Sequence, residues 1–284
     1  MAKHKLMTTP AKPEDIASTV ERALAEDIGP GDITSQLIPA DLMATANLYC
    51  RENAVLCGIP WVDEILTQLD STVEIQWAVA DGDPVSNSQI LATFTGKARS
   101  LLTAERCMLN FLQTLSATAT HSRRLADLIA HTSVKLLDTR KTLPGLRSAQ
   151  KYAVASGGCF NHRMGLYDAF LIKENHINAC GSISLAVKKA RQLYPDKPVE
   201  VEVETLEQLE IALDAAVDII MLDNFSVESI RLAVNQNKGR AKLEASGGIN
   251  ELTLVAIAAT GVDFISVGSL TKNCKAVDLS LLFA

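Results

Sequence analysis

Five side chains that are cationic, or can become so, gather in one stretch of the chain: Arg140, Lys141, His162, Arg163 and Lys173. Two short apolar runs, Val134–Leu137 and Ala169–Ile172, come just before the first and the last of these residues, as buried strands would. An arginine binds a carboxylate or phosphate through two parallel hydrogen bonds, and a lysine acts as a mobile point charge. The stretch therefore predicts a site for a small substrate that carries several negative charges.

The role of His162 is open at this point. A single histidine is more often a surface or packing residue than a catalyst, but Arg163 beside it and Lys173 in the same segment favour a role in the site. Cys159 lies nearby in a glycine-rich stretch, but no spacing to a base supports it as a nucleophile.

Carboxylates stand at or near the ends of two later apolar runs, Val199–Val203 and Ile219–Leu222. They are Glu202, Glu204 and Asp223. In a basic pocket such groups hold a hard cation such as Mg²⁺ or bind sugar hydroxyls. Glu202 and Glu204 share parity along the strand and point to the same side. The alternative is that the three only balance the charge of nearby lysines and arginines.

Two glycine turns follow the last two predicted strands. Residues 246–250 (SGGIN) open a helix, and residues 267–269 (VGS) repeat the arrangement one unit later. Glycine lets backbone amides approach an anion closely, and a helix N-terminus adds partial positive charge. Ordinary tight turns are the alternative, but two of them at the end of an α/β barrel favour phosphate binding.

The elements that position these residues alternate between strand and helix. Six apolar strands are predicted from residue 134 onward: Val134–Leu137, Ala169–Ile172, Val199–Val203, Ile219–Leu222, Ala241–Leu243 and Phe264–Val267. The alternation predicts a parallel sheet, either a barrel or an open doubly wound sheet. Polar residues after every strand favour the barrel. The span is too short for eight units, so we expect an incomplete barrel.

The first part of the chain has a different pattern. An amphipathic helix is predicted over residues 14–26, ending near Gly29-Pro30-Gly31, followed by β-like segments at Ala46–Cys50, Val73–Val79 and Gln89–Phe94. A long helix begins near Ser100, with an apolar stripe of Leu101, Met108, Leu112 and Leu115. Arg106 lies beside that stripe, where a solvated helix residue is the ordinary interpretation.

Bulk composition narrows the class of protein. The chain has 284 residues, 48% of them hydrophobic, which is enough for two domains. Its net charge of −6 argues against nucleic acid or an anionic membrane as a general partner. The sequence shows neither a signal-peptide pattern nor an apolar stretch that would span a bilayer, so we expect a cytoplasmic protein. The six scattered cysteines are expected to be reduced and mainly structural.

Eight motifs in family order resemble the quinolinate phosphoribosyltransferases. They are GDITS (31–35), ERCMLNFLQTLSATAT (105–120), DTRKTLPGLRSAQKYAV (138–154), GGCFNHRMGLYDAFLIKENHI (157–177), EVE (202–204), MLDN (221–224), EASGGIN (244–250) and VGSLT (267–271). The similarity runs through nearly the whole chain. Ala117 departs from the glycine common in the family, a change expected to affect helix packing rather than chemistry.

The resemblance implies a reaction and an architecture. Quinolinate and phosphoribosyl pyrophosphate would give nicotinate mononucleotide, pyrophosphate and CO₂ with Mg²⁺, a step of NAD biosynthesis. Residues 1–116 would form an N-terminal α/β sandwich-like domain on which the tail 271–284 packs back, and residues 117–270 an incomplete, seven-stranded α/β barrel. The family also implies a homodimer whose active sites lie between subunits, with Arg106 reaching the partner's pocket.

The resemblance also assigns residues. The quinolinate site would comprise Arg106, Thr139, Arg140, His162, Arg163 and Lys173. The phosphoribosyl pyrophosphate site would comprise Lys141, Glu202, Asp223, Ser246, Gly247, Gly248, Val267, Gly268 and Ser269. Catalysis is expected from Lys141, Glu202 and Asp223, the two carboxylates also serving as ligands of Mg²⁺, directly or through water.

Three other functions compete with this one. A phosphoribosyltransferase of the same architecture would use nicotinate or another acceptor, although four cationic residues at positions 140, 162, 163 and 173 favour a dicarboxylate. A barrel aldolase would use Lys173 or Lys141 as a Schiff-base amine, leaving the glycine turns and carboxylates without a role. A non-catalytic phosphosugar-binding protein is the third.

Overall fold

The computed structural model of the protein describes residues 11–284, which divide into two compact units. One unit consists of residues 11–123, 142–158 and 270–284, and the other of residues 124–141 and 159–269. Within residues 11–284, no helix combines the length and the apolar character needed to cross a bilayer. The boundary predicted after residue 116 falls inside a helix that runs from Ala98 to Leu128.

The first unit is built on an antiparallel sheet. In the described part of the chain its strands are β1 (Met43–Cys50), β3 (Glu74–Trp77), β5 (Ile90–Lys97) and β12 (Leu279–Phe283), in the order β12-β1-β5-β3, and β2 (Ala54–Val55) pairs separately with β4 (Pro84–Val85). Its helices are α1 (Ile16–Ile28), α2 (Ile59–Leu69), α4 (Arg147–Ser156) and most of α3 (Ala98–Leu128). The sheet therefore joins segments from both ends of the described chain.

The core of this unit follows from the apolar patterns of its helices. The predicted stripe of α3 is buried: Leu101, Met108, Leu112 and Leu115 are each at most 2% exposed. Helix α1 ends at Gly29, whose N–H donates to the carbonyl of Ala25, as the glycine there predicts. Both predictions for these helices are confirmed.

The second unit contains the parallel sheet. Among residues 11–284 its strands are β6 (Lys135–Leu137), β7 (Phe170–Ile172), β8 (Val199–Val203), β9 (Ile219–Asp223), β10 (Lys242–Ser246) and β11 (Phe264–Ser266), in the order β6-β11-β10-β9-β8-β7. The helices after them are α5 (Glu174–Cys180), α6 (Ile183–Leu193), α7 (Leu206–Asp214), α8 (Val227–Asn237), α9 (Glu251–Ala258) and α10 (Ser269–Lys272). All six predicted strands are present, and the α/β class is confirmed.

A single residue takes the place beside β6 where one more strand is expected. Phe160 forms a parallel bridge with Leu137; its N–H donates to the Leu136 carbonyl at 2.8 Å and its carbonyl accepts from Asp138 N–H at 3.0 Å. The sheet therefore has six full strands among the described residues and a one-residue seventh position. This bridge brings the loop that contains His162 and Arg163 alongside the end of β6.

Side-chain caps start the helices close to the strand ends. Thr205 accepts the N–H of Gln208 before α7, and Ser226 accepts the N–H of Ser229 before α8. Asn250 accepts the N–H groups of Leu252 and Thr253 before α9. Such caps satisfy amides that lack partners in the first helical turn. The loops that follow β8, β9 and β10 are consequently short.

Strand register puts the polar side chains of neighbouring strands on one face of the sheet. On β8, Val199, Val201 and Val203 are fully buried and alternate with Glu200 and Glu202. Glu202 is level with Met221 of β9, which is level with Glu244 of β10. Because successive side chains of a strand point to opposite faces, Glu200, Glu202 and Glu244 share a face.

Candidate active site

The predicted site residues other than Arg106 follow the carboxyl ends of the parallel strands or lie in the loop beside β6. Thr139, Arg140 and Lys141 follow β6, and Lys173 follows β7; Glu202 is the penultimate residue of β8, and Asp223 is the last residue of β9. Ser246 ends β10, with Gly247 and Gly248 after it, and Val267, Gly268 and Ser269 follow β11. The carboxyl ends of parallel strands meet at one edge of the sheet, so these residues form one surface.

Arg140 and Arg163 lie close enough for their charges to interact. Arg163 donates from Nη1 to the Ala169 carbonyl at 3.0 Å. Burial and the positive charge of Arg140 lower the pKa of Arg163, while the negative charges of Glu200 and Asp168 oppose this. Among the described residues, the buried Nε of Arg140 has no hydrogen-bond partner. Two neighbouring guanidinium groups with an unsatisfied donor suit the binding of an anionic ligand.

Asp138 joins the two segments that carry these arginines. Its carboxylate is fully buried and accepts hydrogen bonds from Asn161 Nδ2 at 2.6 Å and from His162 N–H at 2.9 Å. Through these bonds the end of β6 is fastened to the loop of residues 161–163. Arg140 and Arg163, which follow Asp138 and His162 in sequence, are thereby positioned together.

Lys173 and Glu202 form an ion pair at the end of β7 and β8. Lys173 Nζ donates to Glu202 Oε2, and the lysine side chain is 43% exposed whereas the glutamate is 10% exposed. The register explains the contact: Ile172 is level with Val201, and the next residues along the chain are Lys173 and Glu202. The ion pair keeps a positive and a negative charge together at the opening of the site.

Asp223 is held against the glycine turn by Asn224. Asn224 Nδ2 donates to Asp223 Oδ2 at 2.8 Å, and Asn224 N–H donates to the Ser246 carbonyl at 2.9 Å. A Cβ on Gly247 would lie 2.1 Å from Asn224 Oδ1, and the φ of Gly247 is +99°. Only glycine fits this position, because a side chain meets both a steric clash and backbone strain.

Gly268 makes room for Lys141. A Cβ on Gly268 would lie 3.1 Å from Lys141 Cδ and 3.8 Å from Lys141 Nζ. The lysine stem therefore passes over the end of β11, next to the turn of residues 267–269. Lys141 N–H donates to Thr139 Oγ1 at 3.1 Å, which orders the backbone that carries the lysine.

A buried cluster lies under this surface and was not predicted from the sequence. His162 Nε2 is 3.0 Å from Glu200 Oε2 and 3.6 Å from Glu244 Oε2, and the two glutamates are at most 4% exposed. Burial and the charge of Glu200 raise the pKa of Glu244 to about 8, and His162 opposes this rise. The sequence does contain an indication of Glu200: it is a charged residue inside an apolar strand, and it points to the same side of that strand as Glu202.

Arg106 belongs to the other compact unit. It lies on α3 and is exposed, two residues before the buried Met108. Arg106 is therefore not part of the parallel sheet or of the loops that follow its strands.

Glu202 and Asp223 fit a magnesium ion by donor chemistry. Both present carboxylate oxygens from adjacent strands, and Mg²⁺ is commonly held by one or two carboxylates together with water and substrate phosphates. Asp223 is bonded to the neutral Asn224, whereas Lys173 already compensates the charge of Glu202. The two carboxylates are therefore suited to a metal ion whose remaining ligands are supplied by a polyphosphate and by water.

Comparison with family models matches both parts of the chain. The model described as "Quinolinate phosphoribosyl transferase, C-terminal domain" matches residues 118–282. The model described as "Quinolinate phosphoribosyl transferase, N-terminal domain" matches residues 32–116. The two matches together cover most of the chain.

Similar proteins carry consistent names. The chain is 42% identical over 257 residues to a "probable nicotinate-nucleotide pyrophosphorylase [carboxylating]" of Bacillus subtilis, covering 90% of this chain and 89% of the relative. It is 42% identical over 273 residues to the nicotinate-nucleotide pyrophosphorylase [carboxylating] of Mycobacterium leprae, covering 93% and 95%.

A solved structure is similar over nearly the full length of both chains. The nicotinate-nucleotide pyrophosphorylase from Francisella tularensis superposes with a TM-score of 0.94 at 51% identity, covering 97% of this chain and 98% of that chain.

Proposed function

The chain belongs to the quinolinate phosphoribosyltransferase family, and from this membership we infer that it transfers the phosphoribosyl group of phosphoribosyl pyrophosphate to quinolinate. One carboxylate of quinolinate is lost as CO₂, and the products are nicotinate mononucleotide and pyrophosphate. The chain is a pentosyltransferase of NAD biosynthesis. The observation that carries the substrate choice is the pair Arg140 and Arg163, with the unsatisfied Nε of Arg140.

The charges of the site suit the charges of these two substrates. Quinolinate carries two carboxylates, and its partner carries a phosphate and a pyrophosphate, so the two repel each other in water. Arg140, Arg163 and Lys173 are the proposed quinolinate contacts, with Thr139 at the same strand end. Lys141 and the turns of residues 246–248 and 267–269 are the proposed contacts of the phosphates. Compensating cations bring both substrates together.

The transfer step needs no nucleophile from the protein. The pyridine nitrogen attacks the anomeric carbon as pyrophosphate leaves, and the ribose becomes positively charged on the way. Lys141 stabilises charge on the leaving pyrophosphate, and Glu202 or Asp223 stabilises the cationic sugar. A magnesium ion held by Glu202 and Asp223 would neutralise further charge on the pyrophosphate when bound.

Decarboxylation follows from the bond that has just formed. Ribosylation leaves the ring nitrogen positively charged, and this charge stabilises the carbanion produced as the adjacent carboxylate departs as CO₂. We expect the tightest arginine contact on the retained carboxylate, because a clamp on the departing one would stabilise the ground state. A complex with the departing carboxylate in the strongest arginine contact would contradict this.

A homodimer with shared active sites is part of the proposal. Arg106 is exposed on α3. Its reach into a partner's pocket would add a further positive charge to the quinolinate site. We also propose a cytoplasmic location, since all six cysteines lie in residues 11–284 and are free thiols, as a reducing compartment requires.

One assay tests the reaction against its rivals. Quinolinate, phosphoribosyl pyrophosphate and Mg²⁺ are supplied, and CO₂ and mononucleotide are measured together. We expect them in equal amounts with quinolinate and no mononucleotide with nicotinate. Mononucleotide formed from nicotinate without CO₂ would favour the related acceptor, and no product with either would favour a binding protein.

The ion pair of Lys173 argues against the aldolase alternative. Lys173 Nζ donates to Glu202 Oε2, so its amine is engaged in an ion pair and is not free to attack a carbonyl carbon. We expect no covalent adduct when borohydride is added with a carbonyl substrate. Trapping at Lys173 or Lys141 would support the aldolase.

A further inference from the structure

His162 stands out because protein atoms engage both of its ring nitrogens. Nδ1 accepts the backbone N–H of Arg163 at 2.8 Å, and Nε2 lies 3.0 Å from Glu200 Oε2. A ring nitrogen that accepts a hydrogen bond carries no proton, so the proton of the neutral ring is on Nε2 and is donated to Glu200. The side chain is only 12% exposed. This arrangement leaves no ring nitrogen to meet a substrate carboxylate.

The same three residues have the composition of a metal site, but their hydrogen bonds favour a proton. The ligand atoms of His162, Glu200 and Glu244 lie within 4.8 Å of one another. A metal on Nε2 would occupy that nitrogen's lone pair while Nδ1 still accepts the Arg163 amide. The ring would then hold no proton at all, an anionic form that is unfavourable at neutral pH.

Glu200 and Glu244 are themselves closed to substrate, since they are only 4% and 0% exposed. A cavity of about 20 Å³ adjoins it, lined by residues that include Asn161, His162, Glu200 and Glu244. A space of that size accommodates about one water molecule and not a pyridine ring. Glu200 and Glu244 can therefore influence quinolinate only through the residues between them and the surface.

Arg163 is the residue through which they act. Its backbone N–H is bonded to His162 Nδ1, and the negative charge of Glu200 favours its cationic form against the effects of burial and of Arg140. Glu200 Oε1 is buried without a hydrogen-bond partner among the described residues, so its charge is little screened. The carboxylate of Glu200 thus favours the cationic form of the guanidinium that is the proposed contact of the substrate.

We propose that His162 is a positioning residue and not a direct ligand of quinolinate: Glu200 holds its imidazole inside the sheet by a hydrogen bond, with Glu244 in contact at 3.6 Å, and the ring fixes Arg163 for the substrate carboxylate. The proposal deepens the proposed function, since quinolinate binding is part of its measurement. It changes the role that family resemblance gave to His162. It adds Glu200 and Glu244 as positioning residues for the same site.

The first test is spectroscopic and uses the full-length wild-type protein labelled with ¹⁵N-histidine. Long-range ¹H–¹⁵N correlations identify the tautomer of each histidine, and the spectrum of His162→Gln assigns the signal. We expect the neutral Nε2–H form, unchanged when quinolinate is added to saturation. A doubly protonated ring, a switched tautomer or a large shift of either nitrogen with quinolinate would overturn the proposal.

The second test separates positioning from general damage to the fold. In Glu200→Gln the amide still accepts the Nε2 proton but the anion beneath Arg163 is lost. We expect the KM for quinolinate to rise about tenfold, as for loss of one charge-assisted interaction, with kcat and the KM for phosphoribosyl pyrophosphate nearly unchanged. Glu244→Gln, which imitates a protonated acid, should retain wild-type KM values, whereas Glu244→Ala should not.

Control variants separate the role of His162 from the proposed function itself. Glu228→Gln, at an exposed position of α8, should leave all constants unchanged. An unaltered quinolinate KM in Glu200→Gln would contradict the proposal, as would Co²⁺ binding to wild type that Glu244→Gln abolishes. If wild-type protein fails to bind quinolinate at all, the proposed function fails, while the tautomer measurement still decides the structure of the cluster.

Discussion

Arg140 has a hydrogen-bond donor for which residues 11–284 supply no acceptor. Its Nε is buried without a partner among residues 11–284, which is costly unless a ligand supplies the acceptor. Arg163 adds a second guanidinium beside it. The two positive charges repel each other, so a bound anion that neutralises them is further favoured. At the scale of single residues, the site is thus destabilised in the free protein and completed by its substrate.

Arg140→Lys is expected to weaken quinolinate binding although it keeps the positive charge. A lysine cannot present the planar pair of donors, so we expect the KM for quinolinate to rise roughly ten- to hundredfold. Steady-state kinetics with each substrate varied in turn measure this. Arg231→Lys, an exposed arginine on α8, is the matched control. A KM within error of wild type would argue against Arg140 as a bidentate ligand.

Gly268→Ala should act through Lys141. The added methyl would lie 3.1 Å from Lys141 Cδ and displace the lysine stem. We expect kcat/KM for phosphoribosyl pyrophosphate to fall about ten- to hundredfold, as misplacement of a catalytic group does. The decisive comparison is a double-mutant cycle: in a Lys141→Ala background the Gly268→Ala change should have little further effect. Additive losses would show that Gly268 acts independently of Lys141.

Glu244 should make the stability of the protein fall as pH rises. Its folded pKa of about 8 lies above the ordinary 4.5, because of burial and then the charge of Glu200; Asp138 adds to the rise, and His162 and Ser266 oppose it. Between these pKa values the unfolded chain has lost a proton that the folded protein keeps. The contribution to stability therefore declines as pH rises toward about 8 and is constant above it, with a slope of at most about 1.4 kcal/mol per pH unit.

Urea unfolding of wild type and Glu244→Gln checks this, at several pH values between about 5 and 9. The advantage of wild type over the variant should shrink as pH rises and then level off. A difference that stays constant with pH would mean that Glu244 titrates normally.

At the scale of elements, Asp81 ties two helices of the first unit together. Its Oδ1 accepts the N–H groups of Gly58 and Ile59, at the start of α2, at 2.9 and 3.1 Å. Its Oδ2 accepts the hydroxyl of Tyr152 on α4 at 2.8 Å. A loop carboxylate thus serves as the cap that Gly58, the residue before α2, cannot provide.

Removing this carboxylate should destabilise the fold. Asp81→Ala leaves three largely buried donors unpaired, and we expect a loss of roughly 2–4 kcal/mol in the free energy of unfolding. Tyr152→Phe, which removes one bond, should cost about 1 kcal/mol. Asp41→Ala, at an exposed turn, is the control for urea unfolding. Equal effects of the Asp41 and Asp81 substitutions would refute the capping role.

The elements themselves were largely predictable from the sequence. The strands predicted at Val199–Val203 and Ile219–Leu222 are present as β8 and β9, and the stripe of α3 is buried, because apolar periodicity reports directly on burial. Contacts between side chains of different strands could not be predicted in this way. The ion pair of Lys173 with Glu202 depends on the register of β7 and β8, which no single-strand pattern contains.

Buried polar residues were the features that the sequence did not disclose. Gln150 on α4 is fully buried; its Oε1 accepts the N–H of Leu143 and its Nε2 donates to the Thr271 carbonyl. Glu200 and Glu244 are likewise polar residues at positions where an apolar side chain is expected. Their hydrogen-bond and ion-pair partners come from distant segments of the chain. The local pattern therefore shows that a polar residue stands at a buried position but does not show what it contacts.

At the scale of the whole molecule, the proposed shared site has a complementation test. Arg106→Ala and Lys141→Ala should each be inactive alone. If Arg106 completes the partner's pocket, hybrid dimers contain one site with both residues intact. Mixing the variants should then restore roughly a quarter of wild-type activity at equal amounts, because half of the dimers are hybrids and each has one intact site.

Subunit exchange has to be shown independently for that experiment, for example with two differently tagged chains recovered together. Mixing either variant with itself serves as the control. No recovery despite proven exchange would place Arg106 in its own chain's site or outside any site.

The pairing of β12 with β1 has a consequence for how the protein is made. β1 lies between β5 and β12, and its register with β12 runs from Ala46 opposite Phe283 to Cys50 opposite Leu279. On the ribosome, β1 emerges long before Leu279–Phe283 is translated, so one edge of the nascent sheet stays open while the whole parallel unit is synthesised. Open strand edges invite pairing with other chains. The newborn polypeptide is thus expected to need protection of that edge until Leu279–Phe283 has left the ribosome.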